Sequence, residues 1–223
     1  MARMARVVIP GIPHHITQRG NRRQKVFFMD SDYQYYKELL SEFCEKAQTG
    51  VLAYCLMPNH VHLILVPKDE NGLHQAIGEA HRRYTRHINF REGWRGYLWQ
   101  GRFSSFPMDE DYLWAAVRYV ELNPVRAGLC SYPEEWRWSS ARAHVEGAND
   151  GLVNAAVLLD QQPDWHGFLA SGLDSQMYDS IRKHERSGRP LGGDDFVSRI
   201  ETISGRILRR KKLGRKPLDK VGN

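Results

Sequence analysis

The chain has 223 residues, which suits one ordinary domain, or one domain with an appendage. Hydrophobic residues make up 41%, which excludes global disorder, and no apolar run approaches the ~20 residues needed to cross a bilayer. The formal charge is +6, and it is unevenly spread. Residues 206–220 hold eight Lys/Arg against Asp219, a local +7, so the rest of the chain sums to 6 − 7 = −1. Two further basic islands lie in residues 1–25, where no acid occurs, and in 82–102, where six arginines face Glu92 alone. Basic islands with interleaved aromatics point to a polyanion, and nucleic acid fits best. Solvated surface is the plain alternative for any one island. Cys44, Cys55 and Cys130 lack CxxC spacing and read as reduced thiols. The N-terminus has no long apolar stretch of the kind a signal peptide carries, so a cytoplasmic protein is expected.

In chain order, HHITQRG (14–20) predicts a short strand between Gly/Pro punctuation. Asp30 or Ser31 can cap a helix to about Lys46, with Tyr35, Tyr36, Leu39, Leu40 and Phe43 at helical spacing. Residues 51–57 and 60–66 form two strands around a tight MPNH turn. A helix over about 72–90 places Leu73, Ile77, Tyr84 and Ile88 on one face. Residues 97–108 read as a strand with an irregular middle at Gly101. Residues 109–124 read as a helix stopped by Pro124. This β-α-β-β-α-β order followed by a helix is the ferredoxin-like pattern, an α+β fold with helices on one face of an antiparallel sheet. Short helices over 153–159, 163–172, 173–186 and 194–210 then form a C-terminal extension that runs into the basic tail. The expected divisions are 1–144, 145–205 and 206–223.

MPNHVHLILVP (57–67) carries the first candidate site. Alternation along a strand sends Val61, Leu63 and Leu65 to one face and His60, His62, Ile64 and Val66 to the other. Two imidazoles roughly 6.6 Å apart along a strand can converge on one cation. They can also be two half-buried polar residues with no ligand. A third ligand and a nucleophile must come from elsewhere. In the helix 109–123 the stripe is Leu113, Ala116, Val117 and Val120, with Tyr119 and Asn123 together beside it. Tyr119 offers a phenolic nucleophile and Asn123 a carbonyl oxygen one turn away. Against that, Tyr119 also suits a boundary position, and a pre-proline Asn suits a helix end.

His60-Val61-His62 with one tyrosine on a downstream helix resembles the HUH single-strand DNA endonucleases and transposases of the single-tyrosine branch. The stretches PGIPHHITQRGN, YCLMPNHVHLIL, LWQGRFSSFPMD, RYVELNPVRAGL and EEWRWSSARAH resemble the IS200-like, REP-associated tyrosine transposases across most of residues 10–144. The resemblance implies an HUH-type fold and a divalent metal, Mg²⁺ or Mn²⁺, on His60 and His62, with Asn123 completing the site. It implies Tyr119 as the nucleophile that forms a 5′-phosphotyrosine. It implies a bacterial, nucleoid-associated protein acting on single-stranded DNA beside REP-type hairpins, as a monomer and without a membrane.

Candidate DNA contacts are Arg19, Arg22, Arg23, Arg82, Arg83, Arg86, Arg102, Arg118 and Arg126. In the tail they are Arg209, Arg210, Lys211, Lys212, Arg215 and Lys216. Trp99, Phe103 and Phe106 are candidates for stacking on unpaired bases, with core packing as their alternative role. Two other functions fit the residues less fully. One is a metal-dependent nuclease that uses water, and the other is a hairpin DNA- or RNA-binding regulator with no catalysis.

Overall fold

A computed structural model describes residues 5–209. Of the expected tail contacts, Arg210, Lys211, Lys212, Arg215 and Lys216 lie outside the described residues. Four strands, β1 (His14–Arg19), β2 (Gly50–Met57), β3 (His60–Val66) and β4 (Ser104–Pro107), form one sheet in the order β2-β3-β1-β4. All three pairings are antiparallel, which is the expected ferredoxin-like arrangement. Pro58 and Asn59 link β2 to β3 so tightly that Met57 pairs with His60. That register places Thr17 of β1 opposite His62, and Arg19 opposite His60.

Between the strands run α1 (Asp30–Lys46) and α2 (Glu79–Glu92), both on one face of the sheet. Val61, Leu63 and Leu65 meet Tyr36, Leu40, Ile77 and Tyr84 there, so the expected apolar face of β3 is its core face. Asp30 and Ser31 do not cap α1. Asp32 reaches back instead, and its Oδ2 accepts from the backbone N–H groups of Phe28 at 2.8 Å and Met29 at 3.2 Å. An acid at the third helical position can satisfy two orphan donors at once, which Asp30 and Ser31 are not placed to do. The expected helix over 72–90 begins as a π-helical turn, His74–Gly78, and α2 then ends at Gly93, whose φ of 66° closes it.

The expected strand over 97–108 is regular only as β4. Gly101, at φ 66°, breaks the preceding segment, which meets the end of β1 through a Trp99–Gly20 bridge and a Gln100 N–H bond to the Arg19 carbonyl. After Asp109, which caps with its side chain, α3 (Glu110–Glu121) crosses the other face of the sheet. Pro124 does not end the helical run. It opens a new turn, α4 (Asn123–Arg126), because proline is at ease in the first turn of a helix.

The rest of the chain folds as α5 (Ala141–Glu146), α6 (Ala156–Leu159), α7 (Trp165–Ala170), α8 (Ser175–Ser187) and α9 (Asp194–Ser204). Leu158, Trp165, Phe168 and Ile181 share one core with Ile64 and Phe106 of the sheet and Val117 of α3. Helix α8 also lies along β4, where the Ser104 hydroxyl donates to the Glu185 carbonyl at 2.7 Å. The C-terminal extension is therefore built into the second face of the sheet. No helix among the described residues is long and apolar enough to cross a membrane.

Candidate active site

The α3 face of the sheet holds a buried polar cluster. Strand alternation delivers His62 and His60 from β3 and, one strand over, His15 from β1. Tyr119 comes down from α3 as its stripe packs Ala116, Val117 and Val120 against the sheet. Its ring meets His62 edge-on with centroids 5.5 Å apart, and His15 at 5.8 Å. From α8, Tyr178 lies 5.4 Å from Tyr119, ring to ring, and the Glu185 carboxylate faces the Tyr119 hydroxyl. Arg126 caps the assembly. Its guanidinium carbon sits 4.4 Å above the Tyr119 ring, and it donates to the Tyr119 carbonyl at 2.9 Å.

Three ligand-type atoms converge here. His15 Nε2 and His62 Nδ1 are 3.1 Å apart, and Glu185 Oε1 lies 3.5 Å from His62 Nδ1 and 3.9 Å from His15 Nε2. A cation with bonds of about 2.1 Å needs ligand atoms about 3.0–3.4 Å apart, so this triangle is close to the right size. Glu185 Oε1 and His15 Nδ1 are buried without a hydrogen-bond partner among the described residues, which is costly unless something else meets them. Burial holds His15 down to about 3 and His60 to about 4, and it lowers His62 well below its usual range. All three imidazoles are thus neutral at neutral pH and present lone pairs. Burial pushes Glu185 up to about 7, against the pull of Tyr119, Arg19, Arg182 and Arg126. Burial, then the Glu185 charge, raises Tyr119 above the usual phenol range. Imidazoles with a carboxylate form a donor set that suits Mn²⁺ or Zn²⁺, and Mg²⁺ less well.

His60 sits at the rim, half-buried, 5.0 Å from His62 ring to ring. Its Nδ1 bonds Asn59 Oδ1 at 2.6 Å, which fixes the N–H there and leaves Nε2 with a bare lone pair. Asn123 lies one turn beyond Tyr119, its Nδ2 buried without a hydrogen-bond partner among the described residues. His15 and Glu185 were not anticipated. The His14-His15 doublet carried a signal, since alternation must send one of the two to each face of β1. Glu185 lies in a helix with no distinguishing pattern, and only tertiary packing brings it in.

A second polar network anchors the tyrosine helix. The buried Glu121 carboxylate accepts from Ser140 at 2.5 Å, His144 at 2.7 Å and the Trp165 indole at 2.8 Å. It ties α3 to α5 and α7 two residues beyond Tyr119.

The expected DNA contacts are spread over the surface. Arg19 is exposed at the end of β1, and Arg22 and Arg23 are exposed in the turn after it with φ of 53° and 62°. Arg83 and Arg86 are exposed on α2, whereas Arg82 pairs with Glu79 at 2.6 Å. Arg102 is exposed in the loop before β4. Arg118 turns away and stacks over Phe168 at 4.2 Å. Arg209 folds back on α9, bonding Glu201, Ser198 and Asp194. Phe106 is fully buried against His15, so its ring packs and has no face free for a base.

Among solved structures, the chain is similar to a REP-associated tyrosine transposase bound to a REP hairpin. The identity is 22% and the TM-score 0.52, covering 68% of this chain and 90% of that one. A structure described as a transposase of Deinococcus radiodurans R1 aligns at 20% identity and a TM-score of 0.38, over 54% of this chain and 96% of that one. No curated protein matches. The family model described as "Transposase IS200 like" matches residues 9–123, just over half of the sequence and the whole span from β1 to the end of the tyrosine helix. The chain that places Tyr119 over His62 and His15 therefore belongs to the IS200-like transposase family.

Proposed function

We propose that this transposase cleaves and rejoins single-stranded DNA beside hairpins through a covalent phosphotyrosine on Tyr119, with a divalent cation in the histidine cluster. The observation that carries the reading is the convergence of the Tyr119 ring on His62 and His15 in one buried pocket. His62, His15 and Glu185 would hold the ion, with His60 beside His62 at the rim. The structure it resembles is bound to a REP hairpin, and that likeness supports a hairpin substrate.

The bound ion would polarise a non-bridging phosphate oxygen and offset charge in the transition state. The protein does the rest. Arg126 is the exposed member of the cluster, with His60 half-buried beside it, and a phosphodiester would enter from that side. The Tyr119 oxygen gives up its proton and attacks phosphorus, the bond to the 3′ oxygen breaks, and that oxygen takes up a proton and leaves as a 3′ hydroxyl. The phosphate ester on Tyr119 retains the bond energy, so rejoining is the same step reversed. Burial makes the Tyr119 phenol harder to ionise than a free one, which is why a cation and Arg126 beside it matter. Three donors on Glu121 anchor helix α3 beneath Tyr119.

The test is covalent trapping of end-labelled single-stranded hairpin DNA with Mn²⁺ or Mg²⁺. Wild type should give a shifted band on a denaturing gel, and Tyr119→Phe and His62→Ala should not. Cleavage with no shifted band would assign a water-using nuclease, and binding with neither would assign a regulator.

A further inference from the structure

Helix α8 carries a second phenol into the pocket of the nucleophile. Tyr178 packs its ring on Tyr119 with centroids 5.4 Å apart and planes tilted by 50°. Its position is set within α8. Asp174 caps the helix, its Oδ1 accepting from the backbone N–H groups of Gln176 at 2.7 Å and Met177 at 3.1 Å. Tyr178, Ile181 and Glu185 then recur at i, i+3 and i+7, which is one face of a helix. Ile181 is fully buried on that face and Glu185 reaches His62, so Tyr178 is turned toward the same cluster. Helix α8 lies outside the residues that the family model matches.

Two features make this more than ring packing. Arg126 serves both phenols: its guanidinium carbon lies 4.4 Å above the Tyr119 ring and 5.1 Å above the Tyr178 ring. Arg182, one turn along α8, adds a second cation 5.5 Å over Tyr178. A phosphodiester is an anion, and guanidinium groups beside two hydroxyl-bearing rings suit it. The hydroxyl ends are neighbours as well. Burial raises the Tyr119 pKa most, the Glu185 charge next, and the Tyr178 phenol adds to both. Tyr119 is only 5% exposed, whereas Tyr178 is half-buried and partly open to solvent.

We propose that Tyr178 is a second nucleophile that takes the DNA end over from Tyr119. The inference rests on the phosphotyrosine reading above and adds a step to it. The Tyr178 oxygen attacks the phosphorus carried on Tyr119. A bond forms from the Tyr178 oxygen to phosphorus, the bond to the Tyr119 oxygen breaks, and the proton lost by Tyr178 ends on Tyr119. No further reactant is consumed. One tyrosine ester replaces another, so the exchange is close to thermoneutral and the DNA end keeps its bond energy for rejoining. Tyr119 is regenerated beside the histidines, ready for a second phosphodiester. One chain then holds a strand end on Tyr178 while Tyr119 cuts again. A tyrosine that only buttressed Tyr119 would need its ring and not its hydroxyl.

The test is a time course of the full chain with Mn²⁺ and a DNA hairpin that carries a single-stranded flank on each side. Samples are denatured, then digested with trypsin and nuclease. Tyr119 and Tyr178 fall in different tryptic peptides, so mass spectrometry locates the attached nucleotide. In wild type it should appear on Tyr119 first and on Tyr178 later, with final amounts within roughly tenfold of each other because like bonds are exchanged. Tyr119→Phe should carry it on neither residue, since Tyr178 receives only from Tyr119. Tyr178→Phe keeps the ring and removes the hydroxyl. It should carry the nucleotide on Tyr119 alone, and chains holding two strand ends should fall at least ~10-fold. A melting curve checks its fold, and if it does not fold the wild-type map decides alone. Nucleotide confined to Tyr119 throughout the wild-type time course overturns the relay and leaves the phosphotyrosine reading intact. Nucleotide on Tyr178 in Tyr119→Phe also overturns the relay, because Tyr178 would then cut DNA directly. Nucleotide on neither residue of wild type overturns both readings.

Discussion

The two faces of the sheet are built on opposite plans. Toward α1 and α2, strand β3 presents Val61, Leu63 and Leu65, and they meet an interior of side chains such as Tyr36, Leu40 and Ile77. Toward α3 and α8, the same strand presents His62 and Ile64, and β1 adds His15. There the buried Glu121 and half-buried Glu185 carboxylates sit beside histidines, and several polar atoms lack partners among the described residues. Buried polar atoms are tolerated where something else meets them, so under the proposed function the first is a stabilising face and the second the working face.

Substitutions on the two faces should therefore fail differently. The largest effect is expected from Tyr119→Phe, which removes one hydroxyl from the working face. Covalent DNA adduct should fall at least ~10³-fold, as it does when a nucleophile is lost, while the melting temperature stays close to wild type. Adduct retained in Tyr119→Phe would move the nucleophile elsewhere. On the other face Leu63→Ala should cost about 2–5 kcal/mol, seen as a lower urea midpoint, because Leu63 is fully buried in hydrocarbon. Its residual folded fraction should bind Mn²⁺ with wild-type affinity. A loss of metal binding there would mean that the two faces are coupled.

Glu185→Gln sharpens the assignment of the working face. The change keeps the shape and removes the charge that faces His62 Nδ1 at 3.5 Å and His15 Nε2 at 3.9 Å. Mn²⁺ affinity, read by electron paramagnetic resonance of the free ion, should drop about 10–100-fold. Asn123→Ala should change it less. The reverse ranking would restore Asn123 as the third ligand and leave Glu185 a neighbour only.

The sequence exposed the parts of this contrast that follow from local periodicity. Alternation in residues 60–66 separated His60 and His62 from the core face, and the 3.6-residue stripe placed Tyr119 at the edge of the tyrosine helix. The β-α-β-β-α-β order was legible because each element had clear punctuation. What was hidden depends on contacts across the chain. Glu185 is brought to His15 across 170 residues, and nothing in its helix marks it. His15 was visible as half of a doublet, but its pairing with His62 needs the β1–β3 register. The irregular segment 97–103 read as strand because aromatics dominate it, yet the break at Gly101 leaves it lining a cavity beside α2.

The smallest effect concerns an acidic tie behind the hydrocarbon face. Asp150 accepts from Lys37 of α1 at 2.8 Å, from the Tyr54 hydroxyl of β2, and from the backbone N–H groups of Leu152 at 3.0 Å and Val153 at 2.9 Å. Burial alone would raise its pKa, but these donors outweigh burial and hold it below the usual carboxylate value. A carboxyl whose pKa is lower in the folded state stabilises the fold above the unfolded pKa. That contribution is lost as pH falls through the unfolded value of about 3.9 toward the lower folded one. With its side chain 20% exposed, Asp150 should contribute on the order of 1 kcal/mol at neutral pH. Asp150→Asn should then lower the urea midpoint slightly at pH 7 and hardly at all near pH 3, since wild type has lost most of the advantage there. An equal loss at both pH values would show that shape, and not the carboxylate charge, is what Asp150 supplies. The hydrocarbon face would then be free of proton linkage at this position, which would make the contrast with the histidine face sharper still.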